Sequence, residues 1–212
     1  MTTSTRATPA APAVGVPRTP APRGPAVRAR ILEAATRRFY ADGIRAVSAD
    51  RLIEDAGISK VTFYRHFGSK DDLVVAYLEG VADAEEGALT QVRSAQSDDP
   101  ASVLRWYANH VAEVSCSEGF RGCAFLNAAA ELAQADHPAR AVVARHRSWL
   151  RTQATELLVE MGMEPDAAGR AAHALLMLRD GAMVAGSLDG DPTAVGQGLT
   201  AAGDAVIRAA RA

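Results

Sequence analysis

No stretch of this 212-residue chain offers eighteen consecutive apolar residues, so no segment suits a membrane-spanning helix. Cysteine is almost missing. Two thiols, Cys116 and Cys123, are too few for a disulfide scaffold and fit a reduced, cytoplasmic protein. The six-residue gap between them, near a glycine-rich bend, leaves a thiol-redox switch open as an alternative. The opening is broken by proline, lacks a continuous apolar core and carries its arginines late, so it does not read as a secretory signal. No period-two alternation marks a strand, and there is no internal repeat. Catalytic signatures are missing as well: there is no G-x-S-x-G, no H-E-x-x-H and no P-loop. His110, His137, His146 and His173 lack ligand spacing, so neither a metal nor a cofactor is expected. A helical cysteine enzyme built on Cys123 and His110 is a second alternative, but no orienting group or oxyanion hole accompanies the pair.

What is there is helical and unevenly charged. Apolar residues make up 48% of the chain, a globular balance, and the formal net charge is −2. That total hides an asymmetry. Residues 1–75 hold 12 Lys and Arg against 7 Asp and Glu, a balance of +5, and residues 76–212 hold 11 against 18, a balance of −7. A basic front and an acidic back suit a molecule that meets phosphates at one end only. The two lysines, Lys60 and Lys70, both fall in the same short stretch of the basic half.

That stretch, Val47 to Leu73, reads as two short helices around a tight turn, with a third following at once. Ser48 is an N-cap, Asp50 sits in the first turn, Leu52, Ile53 and Ala56 are apolar, and Gly57 is a left-handed stop. Ser59 caps the second helix, whose Phe63 and Phe67 share a buried face. Ser69 and Asp72 are spaced as a capping box. Lys60, Val61, Thr62, Tyr64 and Arg65 are left facing outward, the logic of a helix-turn-helix reader of double-stranded DNA. Ser48, Lys60, Tyr64, His66 and Lys70 are placed to hold phosphates. Val61, Thr62 and Arg65 are placed to meet base edges, Val61 suiting a thymine methyl and Arg65 a guanine.

The run AGISKVTFYRHFGSKDDL from Ala56 to Leu73, with Ala34, Phe39, Gly43, Ser48 and Leu52 before it, resembles the TetR family of bacterial transcriptional regulators. Val61 departs from the family pattern, where Gly or Ala is common; the difference bears on base choice. The resemblance implies an all-α fold, with an N-terminal three-helix helix-turn-helix domain and a C-terminal helical bundle for effector binding and dimerisation. Residues 1–25 are read as a disordered Pro-rich basic tail, 26–72 as the DNA-binding domain and 73–212 as the second domain. As an alternative to an idle tail, Arg6, Arg18 and Arg23 make it a basic arm for a DNA groove.

Apolar periodicity predicts a first helix over about 26–41 and a fourth over 71–94. Further helices follow over 101–116, from Cys123 to about 134, from about 138 to 161, over 165–188 and from 192 onward. The middle helices supply candidates for an effector cavity: Trp106, Tyr107, His110, Phe125, Asn127, Glu131, His146, Trp149, His173, Met177, Asp180 and Met183. Apolar walls with scattered polar groups favour a hydrophobic or aromatic small molecule, with Asn127 and Glu131 anchoring it from one side and His173 or Asp180 from the other. The segment from Cys123 also resembles the pocket-lining helix of a branch of the family. The last two helices are rich in Ala and Gly and let helices approach closely. In the resembled family they pair across a two-fold axis, which here nominates Leu175, Leu178, Ala182, Leu199 and Val206 for a homodimer seam.

Overall fold

Residues 24–211 are described by a computed structural model; the basic-arm reading of the tail therefore lies outside the described residues, apart from Gly24 and Pro25. Nine α-helices and no strand occur among the described residues. They are α1 (Pro25–Asp42), α2 (Ala49–Asp55), α3 (Lys60–His66), α4 (Lys70–Ala95), α5 (Pro100–Ser115), α6 (Ala124–Glu131), α7 (Pro138–Glu160), α8 (Pro165–Asp189) and α9 (Pro192–Arg211). Their starts follow local chemistry. The hydroxyls of Ser48, Ser59 and Ser69 accept from the amides of Arg51, Thr62 and Asp72 at 3.2, 3.2 and 3.0 Å. Pro sits in the first turn of α1, α5, α7 and α8, where its missing N–H costs nothing. Gly57 takes φ +59 between α2 and α3, the left-handed conformation expected of it. α6 stops earlier than its Ala-rich sequence suggests, because Leu132 leaves helical geometry at φ −99°, ψ 80°.

α1 to α3 form a small unit, but its core does not end at residue 72. Ile31, Ala34, Ala35 and Phe39 of α1 share one buried cluster with Leu73, Val74, Tyr77 and Leu78 of α4, and the rings of Phe39 and Tyr77 lie 5.7 Å apart. The same cluster continues through Cys123, Phe125 and Ala128 to Val142 and Val143 of α7. α4 is therefore common to the cores of both halves. Behind it, α5, α7, α8 and α9 pack together around Leu158, Met163, Ala168, Ala171 and Ala172. Small residues set the helix spacing here: a Cβ added at Gly186 of α8 would lie 2.4 Å from the Ser115 Cβ of α5. Gly203 likewise faces Leu175 within the chain, whereas Gly181 and Gly198 face open space.

Candidate DNA-reading face and effector cavity

α3 is held by its inner face and offers its outer one. Phe63 and Phe67 are buried, while Val61 is 77% exposed and Lys60, Tyr64 and Arg65 are exposed beside it. An edge-on contact with Phe63, ring centres 5.2 Å apart, steers Tyr64. Lys60 meets Asp50 at 3.3 Å, a solvent-exposed pair that a phosphate can replace at small cost. Ser48 is exposed at the start of α2. The other expected contacts sit deeper. Thr62 is half-buried with its hydroxyl 2.9 Å from that of Ser59, and His66 is half-buried with Nε2 enclosed and unpartnered. Lys70 opens α4 with its ammonium 6.0 Å from the Phe39 ring centre, and partial burial lowers its pKa.

Arginines of α1 brace this head. Arg28 lies 4.8 Å over the Phe67 ring, and Arg30 donates to the carbonyl of Ala56. Arg38 pairs with Asp55 of α2 at 2.5 Å and Asp42 at 3.1 Å.

Two cavities lie among the described residues of the C-terminal half. One, of about 580 Å³, lies beside α1 between α4, α5, α6 and α8, with Val81, His110, Phe120, Cys123 and Phe125 among its walls. The other, of about 410 Å³, lies between α5, α7, α8 and α9 and is lined by Tyr107, Leu175 and Leu199 among others. Both volumes lie in the range of small-molecule sites. Arg179 borders both.

Of the residues expected to line a pocket, Tyr107, His110, Phe125 and Met183 do so. The others are placed differently. Trp106 stacks on His110 with ring centres 5.1 Å apart, and with Trp149 it packs around Leu89, Val103 and Leu157. His146 is buried behind Phe125, their rings 3.9 Å apart. Asn127 does not face either cavity: its amide donates to the Arg121 carbonyl at 2.8 Å and shapes the loop before α6. Glu131 points to the DNA-binding half, accepting from the Arg45 amide at 2.8 Å. Asp180 is tied up with Arg147 at 2.7 Å and Arg179 at 3.3 Å. His173 and Met177 are on the outer face of α8, because two buried rows of that helix are already occupied by contacts with α5, α7 and α9.

The polar centre of the cavity region is a cluster in which sequence reasoning named Tyr107 and His146 but missed Glu85 and Arg179. Glu85 of α4 accepts from the Tyr107 hydroxyl at 2.6 Å, and its second oxygen lies 3.0 Å from His146 Nε2, off the hydrogen-bonding line. Arg179 Nη2 is 3.8 Å from Glu85, and Nη1 donates to the Cys123 sulfur at 3.2 Å. Burial alone would raise the Glu85 pKa; the imidazole, the guanidinium charge and the Tyr107 hydroxyl outweigh it and hold the acid at about 2. Burial drives the Tyr107 hydroxyl the other way, above its ordinary value. One signal for Arg179 was visible: it falls in the same helical row as Ala172, Leu175, Ala182 and Gly186, where an apolar residue is expected. Glu85 had no comparable mark in its Ala- and Glu-rich surroundings.

Both thiols are free. Cys116 neighbours Ser115 at 3.6 Å and Cys123 faces Arg179, so the Cys123–His110 pair of the enzyme alternative is not hydrogen-bonded among the described residues. The dimer candidates also land largely inside the chain. Ala182 is buried, Leu175 and Val206 pack in the α5–α7–α8–α9 core, Leu199 lines the smaller cavity, and Leu178 is half-buried. A different row of α8 is open: His173, Met177, Gly181, Val184 and Leu188, with Leu188 78% exposed.

A helix-turn-helix head on a C-terminal helical bundle defines a DNA-binding regulator. Residues 31–77 match the profile of bacterial regulatory proteins of the tetR family, and residues 100–195 match that of the C-terminal domain of LmrA/YxaF-like transcriptional regulators. A TetR-family transcriptional regulator from Streptomyces coelicolor is 41% identical, with 88% of this chain and 96% of that one covered at a TM-score of 0.80. The reduced form of NemR from E. coli, 17% identical, shares the fold over 84% of this chain and 97% of its own at a TM-score of 0.73. The transcriptional regulator TtgR of Pseudomonas putida is 32% identical over 78 residues, a match that spans only 37% of each chain. The chain belongs to the TetR family of transcriptional regulators, which are DNA-binding proteins and not enzymes.

Proposed function

We propose that the chain is a homodimeric, cytoplasmic repressor that holds a palindromic operator and releases it when a small hydrophobic or aromatic effector enters the sensing half. The observation that carries this reading is the α3 face: Lys60, Val61, Tyr64 and Arg65 exposed in one row, anchored from behind by Phe63 and Phe67. One helix of seven residues reads few base pairs, so two copies on successive half-sites supply the needed specificity. The open α8 row with the small exposed residues Ala194, Gly198, Ala201 and Ala205 of α9 gives a second copy a flat helical surface to pair with. The larger cavity touches Thr36, Arg37 and Tyr40 of α1, so an occupant there is felt directly by the DNA-binding half. Release requires that the effector bind the non-operator geometry more tightly than the operator-bound one.

Selection from random duplex DNA followed by footprinting tests the proposal. The expected result is a symmetric site whose affinity falls steeply with salt, as phosphate contacts demand. Weak binding with no sequence preference would overturn it.

A further inference from the structure

Arg179 is a guanidinium with more donors than acceptors. Its side chain is 7% exposed. Its Nε–H has no hydrogen-bond partner but is fully enclosed, so Nη2, which is not enclosed, is the donor that a cavity occupant can reach. Nη1 meets Asp180 at 3.3 Å and the Cys123 sulfur, a weak acceptor, at 3.2 Å. Nη2 stands 3.8 Å from Glu85, beyond hydrogen-bonding distance. Glu85 is meanwhile engaged by Tyr107. Buried polar groups are nearly always paired, and an orphaned donor weakens the fold until an acceptor reaches it.

The charge around Arg179 is already balanced. Glu85 and Asp180 face Arg179, and Arg147 at 2.7 Å neutralises the remaining carboxylate of the group. An anionic ligand head would therefore meet the field of Glu85 without an uncompensated cation to hold it. A neutral acceptor suffers no such penalty and can take the N–H of Nη2 that Glu85 does not reach. The other walls of the larger cavity are mostly apolar, with Val81, Val111, Phe120, Phe125 and Met183 giving a ligand body contact area. Thr36, Arg37, Tyr40 and His110 are among the polar groups there, and Arg37 is already paired with Glu33.

Resting on the effector-cavity reading above, we infer that the effector is a neutral molecule with an apolar, aromatic body and a carbonyl oxygen that accepts from Arg179. The carbonyl supplies the acceptor that Nη2 lacks, and the body packs on Phe120 and Phe125. Arg179 acts as the specificity group, selecting for an acceptor and against both plain hydrocarbons and carboxylates.

Three probes with a common two-ring body test this: benzophenone, diphenylmethane, which lacks the carbonyl, and 4-benzoylbenzoate, which adds a carboxylate. Calorimetric titration of the full-length protein should show benzophenone binding about tenfold or more tighter than either of the others, the scale expected for one well-placed buried hydrogen bond. In Arg179→Met the preference over diphenylmethane should shrink to about threefold or less, with diphenylmethane affinity retained. Arg179→Lys keeps the charge opposite Glu85 and an N–H donor, so it should retain part of the preference that Arg179→Met loses. Equal binding of benzophenone and diphenylmethane to the wild type, tighter binding of 4-benzoylbenzoate, or a preference that survives undiminished in a folded Arg179→Met variant would each overturn the inference. Binding of diphenylmethane alone leaves the apolar cavity standing while removing the carbonyl. Failure of all three probes removes the hydrophobic-effector reading and this inference with it.

Discussion

Glu131, the last residue of α6, accepts a hydrogen bond from the backbone amide of Arg45 at 2.8 Å and joins the C-terminal bundle to the turn before α2. Gly43, at φ +91, lets the carboxylate lie close: a Cβ there would be 3.2 Å from both Glu131 oxygens. A second tie lies on the other side of α6, where the Tyr40 hydroxyl donates to the Gly122 carbonyl at 3.2 Å and accepts from the Arg121 amide at 3.0 Å. These contacts tie α6 and the loop before it to α1 and to the turn that carries α2 and α3. Replacing Glu131 by Ala should speed deuterium exchange at the Arg45 amide and lower stability by roughly 1–2 kcal/mol, the range for a charge-assisted hydrogen bond at a partly exposed site. Exchange in α8 should not change. Unaltered protection at Arg45 would show that the tie carries no load.

On α3, neighbouring residues should behave in opposite ways. Lys60→Ala and Tyr64→Ala should each weaken operator binding by about 1–3 kcal/mol with helicity and melting unchanged. Phe63→Ala should instead destabilise the fold by about 3–5 kcal/mol, because Phe63 is fully buried. Binding isotherms paired with thermal melts separate the two effects, and wild-type affinity in both exposed-face variants would remove α3 from the reading role.

Assembly should depend on the open row of α8. Val184→Glu or Leu188→Glu places a charge on each side of a two-fold contact, and light scattering should report a folded monomer with operator binding lost. Leu199→Glu should differ, since Leu199 packs within its own chain: it should unfold the bundle, not split it. A stable dimer in both α8 variants would place the interface elsewhere.

Acid stability should report on Glu85. Its pKa falls from 4.5 to about 2 on folding, so its contribution is fully present above about pH 4.5 and disappears as the pH drops toward 2. The loss is on the order of 3 kcal/mol over that window. Glu85→Gln should flatten this part of the stability curve measured by urea unfolding. The same slope in the variant would assign acid sensitivity to other carboxylates.

The helix-turn-helix was legible because its instructions are local. A serine before each helix, a glycine at a left-handed stop and two phenylalanines one turn apart each act on the nearest few residues, so Ser48, Ser59, Ser69, Gly57, Phe63 and Phe67 are found in the positions their chemistry demanded. The helix bounds of α7 and α8 were equally readable, since Pro138 and Pro165 start a helix wherever they are packed. Tertiary structure alone decided which way each helix was turned. Periodicity says that α8 has an apolar side, but its Ala-rich surface has more than one candidate row, and packing against α5, α7 and α9 selected the one through Leu175, Arg179 and Ala182. That rotation put Met177 and His173 outside and Arg179 inside. It also created the Glu85–Tyr107–Arg179–Cys123 cluster from four residues spread over 95 positions of the chain, a proximity that no local rule encodes because it exists only once the helices are stacked.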